Sequence, residues 1–432
     1  MNFIKLSKFF LYLVPLTVVV VTPSTLFPFI VGKYVFFRTA VGLALIFFLW
    51  NWATNKIQNS SASRRIKSQN YWKQPLIIVV SIFALIYVTS GFFGYNPSFS
   101  FWSNFERGEG GLQMIFLLIY FLLLAAVFKD EESWKKMLIA AIWAMVLVIG
   151  YGVGAALGID KLFGEGFCSR FSGSLGNPAY LGTYMLFAIF YAAYLLIGDW
   201  KTRRKWLWLA LIAAFPIFLL LSQTRGAFLG LGVAIISGLL YLFFNSSASK
   251  KVRLLSLFFA AVLIIGGSLA IKYRNSINLS MPFCEGQTRL LDVSLNTQNF
   301  QTRLMLWKQS IAIFKEKPIF GWGMENFNVP FEKHYDPRFE VWYDRAHNIF
   351  FDYLTMTGIL GLLSFVGIFM IYYWQFFKFS KQESALVVKT LFFSLPIAYL
   401  VQGLALFDVL PVYINLFLFL AFSAYKFQNS KQ

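Results

Sequence analysis

The chain has 432 residues, of which 58% are hydrophobic, 20% aromatic and only 13% charged, about half the charged fraction of a soluble domain. Its 38 Lys and Arg against 19 Asp and Glu give a net charge of +19. In so apolar a chain that excess suits anchoring at an anionic leaflet and is no argument for nucleic acid. Apolar runs near the ~20 residues needed to cross a bilayer recur from end to end. A lipid-exposed backbone must satisfy its own hydrogen bonds, and the alternating pattern of barrel strands is absent, so the spans are expected to be helices.

In chain order, spans are expected near 9–30, 34–53, 76–93, 111–128, 137–158, 178–198, 206–222, 226–244, 254–271, 349–376, 389–406 and 408–425. The first run carries no A-x-A-like cleavage site and reads as a span, not a signal peptide. The expectation is an all-α polytopic membrane protein of about twelve transmembrane helices. It divides into 1–271 (spans one to nine), an extracytoplasmic loop at 272–348, and 349–432 (the last three spans and a tail). The N-terminus, "KIQNSSASRRIKSQNYWK", "KDEESWKK", "DWKTRRK", "NSSASKKVR", "KFSKQESALVVK" and the C-terminal tail together hold 22 of the 38 basic residues. The short loops opposite hold 6, and the remaining 10 lie in the long loop, which is largely exempt from the positive-inside bias. Both termini are therefore expected in the cytoplasm.

That topology gathers the notable polar residues on the outer side. Arg170 lies in "CSRFSGSLGNPAY", whose Asn-Pro opens a span. Arg225 lies in "SQTRG", a turn too short to leave the membrane surface. Arg303 opens "TRLMLWKQSIAIFKEKP", where Leu304, Trp307, Ile311 and Phe314 are expected to form the apolar stripe of a surface helix ended by Pro318. Arg303 falls about 40° from Trp307, on the apolar side, where a purely solvated charge is disfavoured. Ordinary roles remain open for Arg170 and Arg225, as a solvated loop charge and an interfacial snorkeller respectively.

The chain has two histidines, and His347 stands where the long loop re-enters the membrane, in "DRAHNIFFDYLTMTGILG". If 347–361 is one helix, Gly358 lies about 20° from His347 and Gly361 about 40° to the other side, roughly 16–21 Å deeper. Small residues there permit close helix approach. The imidazole would then top a packed seam, as a base beside an anionic substrate or merely as an interfacial polar residue. Outward arginines suit a lipid-linked diphosphate, because guanidinium matches phosphate oxygens bidentately and keeps its charge.

The stretch "HNIFFDYLTMTGILG" resembles the H-[NSQ]-x9-G-x-x-G signature of the O-antigen ligase-like superfamily, which comprises O-antigen ligases, polysaccharide polymerases and protein O-oligosaccharyltransferases. "FSGSLGNPAYLGTY", "SQTRGAFLGL" and "TRLMLWKQSIAIFKEKPIFGWGMENF" are similar to other parts of it, so the resemblance covers roughly residues 95–365. It implies a GT-C-like, metal-independent, inverting membrane glycosyltransferase that needs no cofactor. The donor would be a glycan on undecaprenyl diphosphate, and the acceptor a hydroxyl on a lipid, glycan or protein. By carry-over, Arg225 and Arg303, with Arg170 and Asn348, would hold the donor. His347 would be the base, and Gly358 and Gly361 would serve structure. Two alternatives stay open: a polymerase of the same superfamily, and a twelve-span transporter or flippase. Against the latter, ionisable residues gather at one face and no half-to-half repeat is visible. The only two cysteines, Cys168 and Cys284, both fall in outer loops, where a disulfide could form and tie the Arg170 and Arg303 loops together.

Overall fold

The computed structural model describes residues 3–59, 73–104, 107–160, 162–164, 169–273, 298–339 and 341–429. Cys168 and Cys284, with the disulfide expected between them, lie outside the described residues. Every regular element among the described residues is helical: α1 (Phe3–Leu13), α2 (Val31–Asn59), α3 (Pro75–Phe92), α4 (Pro97–Trp102), α5 (Gly111–Val127), α6 (Glu131–Ala156), α7 (Pro178–Asp199), α8 (Lys205–Leu221), α9 (Arg225–Phe244), α10 (Lys250–Lys272), α11 (Gln298–Glu316), α12 (Asn328–Lys333), α13 (Ile349–Phe379), α14 (Leu386–Gly403) and α15 (Leu410–Asn429), with short 3-10 turns at Val14–Val19 and Gly173–Leu175. Nine of these helices are long and apolar enough to cross a membrane, and α5 and α8 are shorter apolar helices. The chain is a multi-pass membrane protein.

The expected spans match helices to within about six residues at either end, except the first. The run near 9–30 is not one helix: α1 ends at Leu13, and Val14–Val19 winds as a 3-10 turn with Pro15 at its start. The chain then turns at Thr22–Pro28, where Thr22 N–H donates to the Pro28 carbonyl (2.9 Å). Proline supplies no N–H and crowds the preceding turn, so Pro15, Pro23 and Pro28 divide a run that hydropathy alone joins.

Burial sorts the bundle. In α15, 89% of the spanning window is buried, against 11% in α10, so α15 is the central post and α10 lies at the periphery, against α9. An apolar helix without a polar face belongs in such a centre. Caps fix several entries. Asn177 accepts the Ala179 N–H at 2.8 Å, with Pro178 opening α7, as the Asn-Pro pair foretold. Asp130 accepts the Ser133 N–H at 2.8 Å to start α6.

Helix α13 is broken at Gly358, whose φ of 66° and ψ of −166° interrupt the helical run. The groups released by the break are satisfied by another segment. The carbonyls of Thr355 and Met356 accept from Trp322 and Gly323 N–H, both at 2.9 Å, and the Ile359 N–H donates to the Pro318 carbonyl at 2.8 Å. Pro318–Gly323 is therefore seated in the gap of the helix, the way irregular backbone survives at membrane depth. A Cβ on Gly358 would strike the Ile319 carbonyl oxygen, and one on Gly321 would come within 2.6 Å of the Gly358 nitrogen. This corrects the expected single helical face: His347 precedes the helix in a left-handed conformation (φ 52°), and the helix does not run unbroken to Gly361. The glycines admit a loop instead of topping a seam with the imidazole. At Gly361 an added Cβ would collide with the Thr357 hydroxyl.

The surface helix is present as α11, but its buried line is Leu306, Gln309, Ser310 and Ile313. Of the expected stripe, Leu304 and Ile311 are 40% and 43% exposed. The inward side is set by hydrogen bonds to the rest of the loop. Gln309 donates to the carbonyls of Phe331 (3.0 Å) and His334 (2.7 Å), and Trp307 Nε1 to that of Ala346 (3.2 Å).

Candidate functional site

The N-terminus of α13 is the centre. Asn348 is its cap, its Oδ1 accepting from Phe350 N–H (3.0 Å) and Phe351 N–H (3.5 Å). That is the task its side chain performs here. Asp352, one turn in, accepts the Ala346 N–H at 2.7 Å through Oδ1. Together these two bonds bend residues 346–348 and place His347 outside the helix.

The His347 ring is held by aromatic contacts. It stacks on Phe407 (centroids 5.2 Å apart, 24° between planes) and meets the edge of Tyr343 at 5.5 Å. Its Nδ1 is buried without a hydrogen-bond partner among the described residues. A catalytic imidazole usually has its second nitrogen fixed by a carboxylate or carbonyl; this one is oriented by stacking. Burial, then the charge of Arg303, pushes its pKa down to about 4, with Arg107 and Arg345 adding to the effect and Asp344 opposing it. The ring is therefore neutral near pH 7.

The arginines come from distant parts of the chain. Arg303, on α11, donates from Nη1 to the Ala405 carbonyl at 2.8 Å, which ties α11 to the segment carrying Phe407. Burial lowers the pKa of Arg303, and the nearby charge of Arg225 lowers it further. Arg225 is the first residue of α9, so its guanidinium adds to the positive end of the helix dipole instead of offsetting it. Two positive potentials stacked in this way suit an incoming anion. Arg170, itself left-handed (φ 88°), points Nε at the Ser222 carbonyl (3.4 Å) in the turn just before Arg225. That loop is anchored by the buried Lys33, which donates to the carbonyls of Val20 and Ser174, both at 2.8 Å.

A second charged group adjoins His347 and was not anticipated. Arg107 Nε bonds Asp344 Oδ2 at 2.9 Å. Buried Arg345 pairs with Glu325, lies 3.9 Å from Glu109, and donates to Met356 Sδ at 2.9 Å. Glu109 also accepts the Leu410 N–H at 2.9 Å. Burial raises the pKa of Asp344, but Arg107 and Arg345 outweigh it and hold the carboxyl below its usual range. Arg107 and Arg345 also lie 4.8 and 5.9 Å from the Phe407 ring centre. The sequence signal was adjacency: Asp344 and Arg345 stand three and two residues before His347. Of their partners, Arg107 and Glu109 lie in another loop, and Glu325 lies 20 residues earlier in the same one.

Arg225, Arg303 and His347 thus share one electrostatic neighbourhood, Arg170 adjoins it, and Asn348 shapes the backbone beneath. The arrangement offers several fixed cations beside one neutral base. A family model described as O-Antigen ligase matches residues 209–366, a stretch that contains Arg225, Arg303, His347, Gly358 and Gly361. No curated protein matches the chain.

Proposed function

The chain belongs to the O-antigen ligase-like superfamily, and on that premise we propose that it moves a glycan from undecaprenyl diphosphate to an acceptor hydroxyl on the outer face of the cytoplasmic membrane. Arg225 and Arg303, with Arg170 beside them, hold the diphosphate and stabilise the charge that develops as it leaves. His347 takes the proton of the acceptor hydroxyl as its oxygen attacks the anomeric carbon. Attack opposite the leaving group inverts that centre, and the arginines serve where other enzymes use a metal ion. The observation that carries this reading is the neutral His347 imidazole beside Arg303, whose charge is in turn felt with that of Arg225.

A base with so low a pKa is weak in the empty protein. The incoming diphosphate supplies negative charge against the same arginines that depress it, so donor binding raises the basicity of His347 when it is needed. The test is reconstitution with an undecaprenyl-diphosphate-linked glycan and mass analysis of the products. Transfer to a separate acceptor supports a ligase. Growth of the lipid-linked chain itself points to a polymerase, and unchanged glycan overturns the reading.

A further inference from the structure

At the far end of α13 from His347, roughly 30 Å beyond Gly358 by helical rise, the start of α3 and the ends of α13 and α15 enclose a cavity of about 350 Å³. Its wall includes Lys73, Gln74, Trp374, Gln375, Lys378 and Gln428, and among the described residues no carboxylate lines it. Lys378 Nζ lies 3.5 Å from the centre of the Trp374 ring, a cation–π contact that holds the ammonium at the cavity without neutralising it. Gln74 donates to the Gln428 amide oxygen. The amide oxygens of Gln74 and Gln375 are buried with no hydrogen-bond partner among the described residues. Buried polar atoms are seldom left so, and such exceptions point to an occupant or water. Trp374, in that wall, and Phe377, three residues on along α13, are 49% and 51% exposed, an apolar flank continuous with the lipid-facing side of the helix.

We propose that this cavity binds an anionic phosphate ester. Lys73 and Lys378 meet the phosphate, and the two glutamine amides meet hydroxyl groups next to it. A phospholipid head group and a free phosphate both present that anion. The exposed Trp374 and Phe377 beside the opening favour the lipid, whose acyl chains would lie against them. The site plays no part in glycan transfer, so it stands or falls independently of the proposed reaction.

The test uses the full chain in a neutral detergent, titrated with phosphatidylglycerol, with phosphatidylcholine or with inorganic phosphate, while bound lipid is counted by native mass spectrometry and thermal unfolding is followed. Phosphatidylglycerol should bind and raise the unfolding temperature, and phosphatidylcholine should bind more weakly. The double variant Lys73→Gln/Lys378→Gln should bind phosphatidylglycerol about thirtyfold more weakly, each lysine near an anionic head group contributing roughly fivefold. Both lysines are exposed, so the variant should fold. Lys250→Gln/Lys251→Gln, which removes equal charge at the same end of the bundle, should bind as wild type. Equal binding of both lipids, or an equal loss in the two double variants, would overturn the site. Inorganic phosphate stabilising as well as phosphatidylglycerol would overturn the lipid as occupant.

Discussion

The imidazole of His347 lies against the ring of Phe407, 5.2 Å between centroids and 24° between planes, although 60 residues separate them in the chain. With Nδ1 buried and unpartnered, this stack and the Tyr343 edge take the orienting part that a hydrogen bond usually plays. Phe407→Ala should therefore cut kcat by about tenfold or more through loss of ring placement, with a smaller change in KM. Phe407→Tyr, which keeps the stack, should restore most of it. Equal losses in both variants would show that Phe407 serves only packing.

The pKa of His347 can be read from rate profiles. Because burial and Arg303 hold it near about 4, the acid limb of kcat/KM should fall well below the ordinary imidazole value of about 6.5. Arg303→Gln should shift that limb upward, while Asp344→Asn should shift it down. The sign for stability follows from the same depression. The unfolded chain takes up the proton first, so folding stability present above about pH 6.5 declines as the pH drops toward about 4. A His347→Gln variant should lack that part of the slope. It should also lose about 10²–10⁴-fold in turnover while still binding donor. Wild-type turnover in it would remove the mechanism.

Gly358→Ala should destabilise the protein by about 1–3 kcal/mol or more, since a side chain at φ 66° is strained and its Cβ meets the Ile319 carbonyl. The damage should extend beyond α13. The Pro318–Gly323 segment would lose its seat, so hydrogen exchange at Trp322 and Gly323 should quicken. Exchange unchanged at those two amides would refute the docking role.

Arg345 offers a test of the charged cluster behind the site. Glu325→Ala takes from the buried guanidinium its directly paired carboxylate, leaving Asp344 and the more distant Glu109, and should cost about 3–5 kcal/mol. Replacing both partners, as Glu325→Leu with Arg345→Met, should cost less than that single change, because no guanidinium is then stranded and Glu109 keeps the charge of Arg107 nearby. Thermal unfolding of the two variants decides between these outcomes.

Sidedness is checked by cysteine accessibility. Residue 203 should be reached from one side of the membrane, and residue 338 from the other. Labelling of both from the same side would break the topology on which the proposed outer-face site rests.

The sequence by itself determined the class of the protein and most of its spans. Burying ~20 apolar residues in lipid constrains the backbone so strongly that composition and run length suffice. It also marked His347, Arg170, Arg225 and Arg303, because a charge or a titratable group at the edge of an apolar run is costly enough to stand out. Only the tertiary structure decided how these residues meet. Hydropathy averages Pro15 in with its apolar neighbours, so the first run read as a helix that the proline divides. Helical spacing placed Gly358 beneath His347, yet a glycine can leave the helix at positive φ, and it does so because Pro318–Gly323 supplies the missing hydrogen bonds from outside the motif. The stripe of α11 was misjudged because the inward side of that helix is chosen by Gln309 and Trp307 bonding to carbonyls 22–39 residues away. Phe407, Arg107 and Glu109 were invisible as site residues for the same reason. Their roles rest on contacts with residues 60 to 237 positions distant, and a contact of that kind leaves no trace in local periodicity.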